Sequence, residues 1–362
     1  MEHGWPVRRQ EAGHGYGDQV ETDRRRTRVR DIAAETGVSI ATVSRVLNDH
    51  VNVSPRTREL VLQAVERRKT REVGPRAVAV RCPYQLTDYF GLIVSSIAEA
   101  LRLRGARVLL DAGESSQHTD ALSALPDDPG TAAAILVLPP EDGEELVALA
   151  RTGFPFVVVD PRTPPPPDVA AVSAAHFSGA RALTAHLVDL GHRDIGVIAG
   201  PEEWLAGDAR TAGHHAALAR VGVLPAPHRV HHVEPTTAEG LRAAGALLDG
   251  PTRPTAIVCF NDKLAVGALH AALDRGLRVP EDLSIAGFDD IDLSRATRPA
   301  LTTVRQPLRE MGRMAVTQLM RVLDGDRPEA LHLELSTTLV PRGSTAPPRE
   351  SPGGWTPRGQ KA

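Results

Sequence analysis

Residues Arg30 to Asn48 read RDIAAETGVSIATVSRVLN, and two short helices joined by a sharp turn account for every position. Ile32, Ala33 and Thr36 give a first helix one face. Gly37 supplies the left-handed backbone a tight turn needs, and Ser39 is a competent N-cap for the next helix. Val43, Val46 and Leu47 follow at helical spacing and are expected to pack back on the first helix. Ile40, Ala41, Thr42, Ser44 and Arg45 are left for the outer face, small or hydroxylated except for one guanidinium. Such a helix fits a DNA major groove, with Arg45 able to grip guanine O6 and N7 and Ile40 and Ala41 able to touch thymine methyls. Ser39, Thr42 and Asn48 suit phosphate oxygens, which fix register without reading sequence. The bland alternative is an ordinary surface helical hairpin, so the flanking residues decide.

Downstream, VSPRTRELVLQAVERR offers Ser54 as a cap, Pro55 in the first turn, and Leu60, Val61, Ala64 and Val65 on one side of a third helix; Thr57 and Arg58 at its start are further candidate DNA contacts. The run from Val29 to Arg67 resembles the DNA-binding headpiece of the lactose repressor/galactose repressor (LacI/GalR) family, through RDIAAETGVSIATVSRVLN followed by VSPRTRELVLQAV. Two departures stand out. The usual Thr cap three residues before the Asp is Arg28 here, with Thr27 one position earlier. The family's Tyr-x-Pro-Asn and Ala-Arg-x-Leu hinge helix is replaced by ERRKTREVGPRAVAV, with no leucine between Leu62 and Leu86. A leucine wedge into the minor groove at the operator centre is therefore not expected.

Charge is segregated in the same way. Arg24 to Glu72 holds 12 basic and 6 acidic residues, leaving 30 basic and 39 acidic elsewhere, so the net charge of −3 conceals a cationic module on an acidic body. The cationic end is a footprint for phosphates, and binding through it should weaken steeply with salt. The two cysteines, Cys82 and Cys259, lie in or beside apolar runs and read as buried thiols of a reducing compartment. No apolar stretch reaches the ~18 to 20 residues of a membrane span. A cytoplasmic, nucleoid-associated protein is expected.

From Arg76 onward, short apolar runs alternate with amphipathic stretches, the signature of parallel strands covered by crossover helices. The expected strands are Ala77 to Val80, Arg107 to Ala112, Ala133 to Leu138, Phe156 to Asp160, Asp194 to Gly200, Ala256 to Phe260 and Leu283 to Phe288, with a last one near Leu331 to Val340. Local matches at LGHRDIGVIAG, DARTAGHHAAL, PTAIVCFNDKLAVGAL, VPEDLSIAGFDDID and RPALTTVRQPLREMG resemble the two-lobed, periplasmic-binding-protein-like core of the same family. The resulting expectation is an α/β protein: a disordered tail at 1–26, a helix-turn-helix headpiece at 27–70, a linker at 71–75 and an effector-binding core at 76–343. Its first lobe takes about 76–172 and 307–330, its second about 173–304 and 331–343. Residues 344–362, rich in Pro and Gly and lacking leucine heptads, are expected to form a disordered tail on a dimer rather than a tetramer.

In such a fold a ligand binds outside the carboxyl ends of the strands, between the lobes. That rule selects Asp88 to Phe90, Asp160 and Arg162, Trp204, Asn261 and Asp262, and Asp289; the family resemblance adds Arg210 and Gln306. Carboxylates and amides suit the vicinal hydroxyls of a sugar or related polyol, and Phe90 and Trp204 suit stacking on its ring. Other readings stay open. Phe90 also fits the start of an amphipathic helix, Trp204 a lobe edge, and Asp160 with Arg162 a simple ion pair, while Asp262 and Asp290 fit capping. The family also contains regulators with purine and nucleoside effectors.

The 14 histidines, including His214, His215, His231 and His232, form neither HExxH nor a Cys/His zinc pattern. There is no GxSxG elbow, no GxxxxGK[ST] loop, and no acid partner for Asp289 and Asp290. No catalysis, cofactor or metal is expected, and Pro164 to Pro167 reads as a stiff loop. The implied function is a DNA-binding regulator, a repressor by resemblance, whose homodimer meets a palindromic operator under control of a small effector. The alternative is a small-molecule-binding protein with a vestigial headpiece.

Overall fold

The computed structural model describes residues 32–33, 36–47, 53–72, 77–113, 121–326 and 330–349. Contacts divide the chain between Pro75 and Arg76 into two units.

In the first unit, Ile32, Ala33 and Thr36 are helical, Gly37 takes φ +66°, and α1 (Ile40–Leu47) follows. Ser39 caps α1, its Oγ accepting the Thr42 N–H at 3.2 Å. Ser54 does the same for Thr57 at the start of α2 (Pro55–Glu72). Ile32, Ala33, Val43, Val46, Val61 and Ala64 form the small core, with Val38 and Val53 against it. Two expected core residues are not there: Leu47 is 39% and Leu60 40% exposed. The i, i+3 pairs Val43/Val46 and Val61/Ala64 fill the small interior, and the neighbouring leucines fall on its rim. The helix α2 extends through Glu72, into the stretch expected to be linker. Thr27, Arg28, Asn48, the Val65 side chain and the tails at 1–26 and 350–362 lie outside the described residues.

The second unit begins at β1 (Ala77–Cys82) and contains two parallel sheets. The larger has the order β11-β5-β4-β3-β1-β2, from β2 (Arg107–Ala112), β3 (Thr131–Val137), β4 (Phe156–Val159), β5 (Ala170–Ala174) and β11 (His332–Leu335). The smaller has the order β7-β6-β8-β9, from β6 (Ile195–Ala199), β7 (Val230–His232), β8 (Ala256–Cys259) and β9 (Ser284–Ala286). β10 (Thr303–Arg305) pairs antiparallel with β12 (Thr338–Val340) and touches the smaller sheet through the bridges Ala286↔Thr302 and Asp289↔Arg305. β1, β4, β6 and β8 are buried along their whole length, as apolar strands covered on both faces must be.

The helices cover these sheets. In the first lobe α3 (Asp88–Leu103) packs on α10 (Leu308–Leu323), and Ile93, Ile97, Met311, Ala315 and Leu319 share one core. There α4 (Gly143–Arg151) starts with a full capping box between Asp142 and Glu145. In the second lobe α5 (His176–Asp189) packs on α6 (Leu205–Ala219), and α7 (Thr237–Leu248) on α8 (Asp262–Asp274), with the short α9 (Asp292–Ala296) beside α8. The α7–α8 contact is very close: a Cβ on Gly267 would lie 2.2 Å from Thr237 O, so only glycine fits.

The chain crosses between lobes three times, after β5, after β10 and after β11. Three expected boundaries differ. β11 pairs in parallel with β5, so 331–335 belong with the first lobe's sheet rather than the second lobe, and β5 carries that sheet to Ala174. Residues 344–349, expected within a disordered tail, are packed on the second lobe: Ser344 is fully buried, Ile285 N donates to its carbonyl at 2.9 Å, and its Oγ takes the Thr302 N–H at 2.8 Å. Hydrogen bonds to Ser284 and Ile285 of β9 and to Thr302 hold this segment despite its prolines.

Candidate functional site

On α1, Ile40, Ala41 and Arg45 are exposed, Thr42 and Ser44 half-buried, and Ser39 exposed at the cap. These candidate DNA contacts therefore lie on the side opposite Val43 and Val46. Thr57 and Arg58, half-buried in the first turn of α2, complete the described candidates.

The second unit contains a cavity of about 420 Å³ between its lobes, at the carboxyl ends of the strands. Its wall includes Leu138 after β3, Asp160 after β4 and Asp289 after β9, all three with positive φ (46°, 52° and 110°). Non-glycine residues adopt this region at a cost, and here it turns the chain at the strand ends that form the wall. Phe90, Trp204, Arg210 and Asn261 also line the cavity. Three expected contacts do not. Asp88 is exposed at the first turn of α3 and does not line the cavity, whereas the neighbouring Tyr89 and Phe90 do. Arg162 lies behind the wall, its guanidinium over the Trp204 ring at 5.0 Å. Gln306 is buried behind Asp289, donating Nε2–H to Oδ1 at 2.6 Å.

The polar groups form one network. Asp160 does not pair with Arg162; it accepts the Tyr89 hydroxyl at 2.6 Å and stands 2.8 Å from His176 Nε2. With its proton on Nε2, His176 donates to Asp160 and its Nδ1 accepts from Arg210 Nε at 3.4 Å. The Arg210 guanidinium also donates to Phe260 O at 2.5 Å, lies 3.7 Å from Asp289 Oδ1, and is sandwiched between the rings of Phe260 (4.2 Å) and Phe288 (3.9 Å). Burial would push the Asp160 carboxyl up, but the adjacent His176 and the hydrogen bonds from His176 and Tyr89 outweigh it and hold it below its usual value. Burial wins at Asp289, raising it to about 6 against the pull of Arg210 and Gln306. The result is a rigid, largely dehydrated set of donors and acceptors suited to a ligand with several hydroxyl or amide groups.

Asn261 caps α8, its Oδ1 accepting from Leu264 N at 2.9 Å, which leaves its NH₂ for other partners. Asp262 accepts from Thr303 Oγ1 and Ile291 N, and Asp290 is ion-paired with Arg295, Arg305 and Arg342, so both orient their surroundings. Sequence reasoning singled out the stretch containing Tyr89 without giving that residue a role, and it missed Tyr84, His176, Phe260 and Lys263 as site residues. Tyr84 stacks on Phe90 with centroids 4.8 Å apart, and Lys263 reaches across to Thr87 Oγ1 at 3.4 Å. Tyr84, Tyr89, Phe90, Trp204 and Phe260 put five of the chain's 12 aromatic residues on one cavity wall. Among the described residues no group of His, Cys, Asp and Glu could hold a metal ion, and no helix is long and apolar enough to cross a membrane.

Comparison with known proteins matches residues 28–68 to the bacterial regulatory proteins of the lacI family and residues 184–345 to a periplasmic binding protein-like domain. The chain is similar to the HTH-type transcriptional repressor CytR of Escherichia coli, with 32% identity over 88% of this chain and 96% of the relative. It is similar to the HTH-type transcriptional regulator MalR of Streptomyces coelicolor at 35%, over 88% and 97% respectively. Among solved structures, it is similar to the CelR–cellobiose complex (TM-score 0.68, 29% identity, 87% of this chain, 99% of that one). It also resembles the lac repressor dimer bound to operator and an anti-inducer (TM-score 0.68, 28% identity, 87% and 98%).

Proposed function

The chain belongs to the lacI family of bacterial transcription regulators, and from that membership we propose that it is a repressor whose operator affinity is set by a sugar or related polyol bound between the lobes of its core. The observation that carries this reading is the cavity itself: buried Asp160, Arg210 and Asp289 converge there with a cluster of aromatic rings. Fixed carboxylate and guanidinium groups recognise vicinal hydroxyls, and the rings cover the apolar face of a sugar. The cellobiose bound to CelR is a precedent of that chemistry.

Operator reading is assigned to Ile40, Ala41 and Arg45, with Ser39, Thr42, Asn48, Thr57 and Arg58 on the phosphates and Ser44 between the two. One such helix reads too few base pairs, so the working unit is a homodimer on a palindrome. Exposed Leu103 at the end of α3 and Leu109 and Leu110 on the edge strand β2 support a dimer face on the first lobe. The protein acts in the cytoplasm on DNA, without catalysis, cofactor or metal. Effector binding and DNA binding are coupled by one free energy, so each changes the affinity for the other by the same factor.

The test is a gel-shift titration on the DNA upstream of the protein's own coding region, paired with a thermal-shift screen of monosaccharides, disaccharides and nucleobases. The reading expects a saturable, sequence-dependent shift and a sugar hit that Arg210→Ala abolishes. A nucleobase hit would move the effector class. Absence of any specific shift from a dimeric sample would leave a binding protein with an inactive headpiece.

A further inference from the structure

Arg162 was expected to touch ligand, yet it lies behind the cavity wall and spans the two lobes. It follows β4 in the first lobe, while Trp204 immediately precedes α6 in the second. Three contacts join them or fix the arginine: its guanidinium lies 5.0 Å from the Trp204 ring centroid, its carbonyl accepts the Leu205 N–H at 2.7 Å, and its Nη1 meets Tyr84 Oη at 3.5 Å. Trp204 in turn meets Phe260 edge-on at 6.2 Å, and the Phe260 ring bears the Arg210 guanidinium. Arg162, Trp204, Phe260, Arg210 and Phe288 thus form one continuous stack in which two cations bracket the Trp204–Phe260 ring pair and Phe288 closes the far end. It runs from the first lobe into the floor of the cavity.

Trp204 Nε1 is shut away from solvent, and no acceptor among the described residues meets it. A buried unpaired donor is costly, so the contacts that hold the indole there must outweigh that cost, while opening the lobes would let water reach the N–H.

We propose that Arg162 is a positioning residue rather than an effector contact: with Tyr84 it clamps Trp204 across the cleft and forms a latch that favours the closed core and thereby lengthens effector residence. A single guanidinium–indole contact is worth a roughly 2- to 30-fold change in the ratio of closed to open forms, depending on how dry it is. The inference goes beyond the proposed function, since the contact exists whatever the effector is.

The lobes can be watched directly. Cysteines at exposed Ala148 on α4 and Leu273 on α8 would carry spin labels, because the native Cys82 and Cys259 are buried with thiols that burial pushes far up, and so stay unlabelled. Distance distributions are measured on the full-length protein without DNA or effector, diluted into unlabelled chain. Arg162→Met, which keeps the aliphatic stem, should enlarge a longer-distance population about 2- to 30-fold. Trp204→Ala should do the same, the double variant should add nothing further, and Arg162→Lys should fall between. Unchanged distances in Arg162→Met, or full additivity in the double variant, overturn the latch. Should Trp204→Ala fail to fold, Trp204→Leu with the same arginine variants decides it by the same criterion. None of these readouts depends on operator or sugar binding, so failure of the latch and failure of the functional assignment are distinguishable.

Discussion

Replacing Asp289 by Asn should stabilise the effector-free protein at neutral pH while abolishing effector binding. Burial raises this carboxyl from 3.8 to about 6, Arg210 and Gln306 only partly offsetting it and Asp160 adding to it. At about 1.36 kcal/mol per pH unit, the charged form costs the folded state about 3 kcal/mol relative to the unfolded one. The sign follows from proton uptake. Between roughly pH 4 and 6 the folded protein holds a proton that the unfolded chain has released, so stability falls as pH rises through that window and is flat above it. An amide mimics the protonated form, and its carbonyl still accepts the Gln306 Nε2–H now given to Oδ1 at 2.6 Å. Asp289→Asn should therefore gain up to about 3 kcal/mol at pH 7.5, a rise in melting temperature of about 6 to 12 °C as an upper bound, and gain nothing below pH 4. Thermal unfolding at the two pH values reads this directly, with titration calorimetry of the sugar hit as the functional control. A variant that melts earlier than the parent at pH 7.5, or one whose gain is equal at both pH values, refutes the reasoning. The carboxylate would then be stabilising, and its retention would need no role in binding.

Other substitutions test other parts. Arg45→Ala, at an exposed position of α1, should weaken specific operator binding by about 1 to 3 kcal/mol and relax discrimination at one base pair, with the melting temperature unchanged; gel shifts on operator variants measure it. Gly267→Ala drives a methyl to within 2.2 Å of Thr237 O and should cost about 1 to 3 kcal/mol or more by forcing α7 and α8 apart, read by chemical denaturation. Ser344→Ala strands the buried Thr302 N–H and Ile285 carbonyl that its hydroxyl serves, a loss of about 1 to 3 kcal/mol by the same assay.

The strands that were legible in sequence are the ones rich in valine and isoleucine, such as FVVV and IGVIA, where β-branched runs leave little alternative. β5 was not, because AAVSA has weak strand propensity and becomes a strand only between β4 and β11. That omission propagated to the site. The carboxyl-end rule found Asp160, Trp204, Asn261 and Asp289, and applied to β5 it would have pointed at His176, two residues beyond its end. The helix α7 carries Gly240 and Gly245, residues of low helix propensity; only the three-dimensional arrangement reveals that a Cβ on Gly240 would lie 2.3 Å from Leu264 O. Arg162 follows β4 as the carboxyl-end rule requires but stands against the Trp204 ring rather than on the cavity lining, and nothing in a linear pattern distinguishes those two placements.

The triple passage between lobes has a consequence for how the molecule comes into being. The first lobe is started at residue 77 but closed only by α10 and β11, and Met311, Ala315, Val316 and Leu319 of α10 share one core with Ile93 and Ile97. On a ribosome, the headpiece emerges early while that apolar surface waits uncovered for more than 200 further residues. A product that stops before Leu308 carries the DNA-facing helices on an open, sticky half-lobe. Quality control thus has a simple cue by which to clear DNA-binding fragments that could occupy operators yet never answer to an effector.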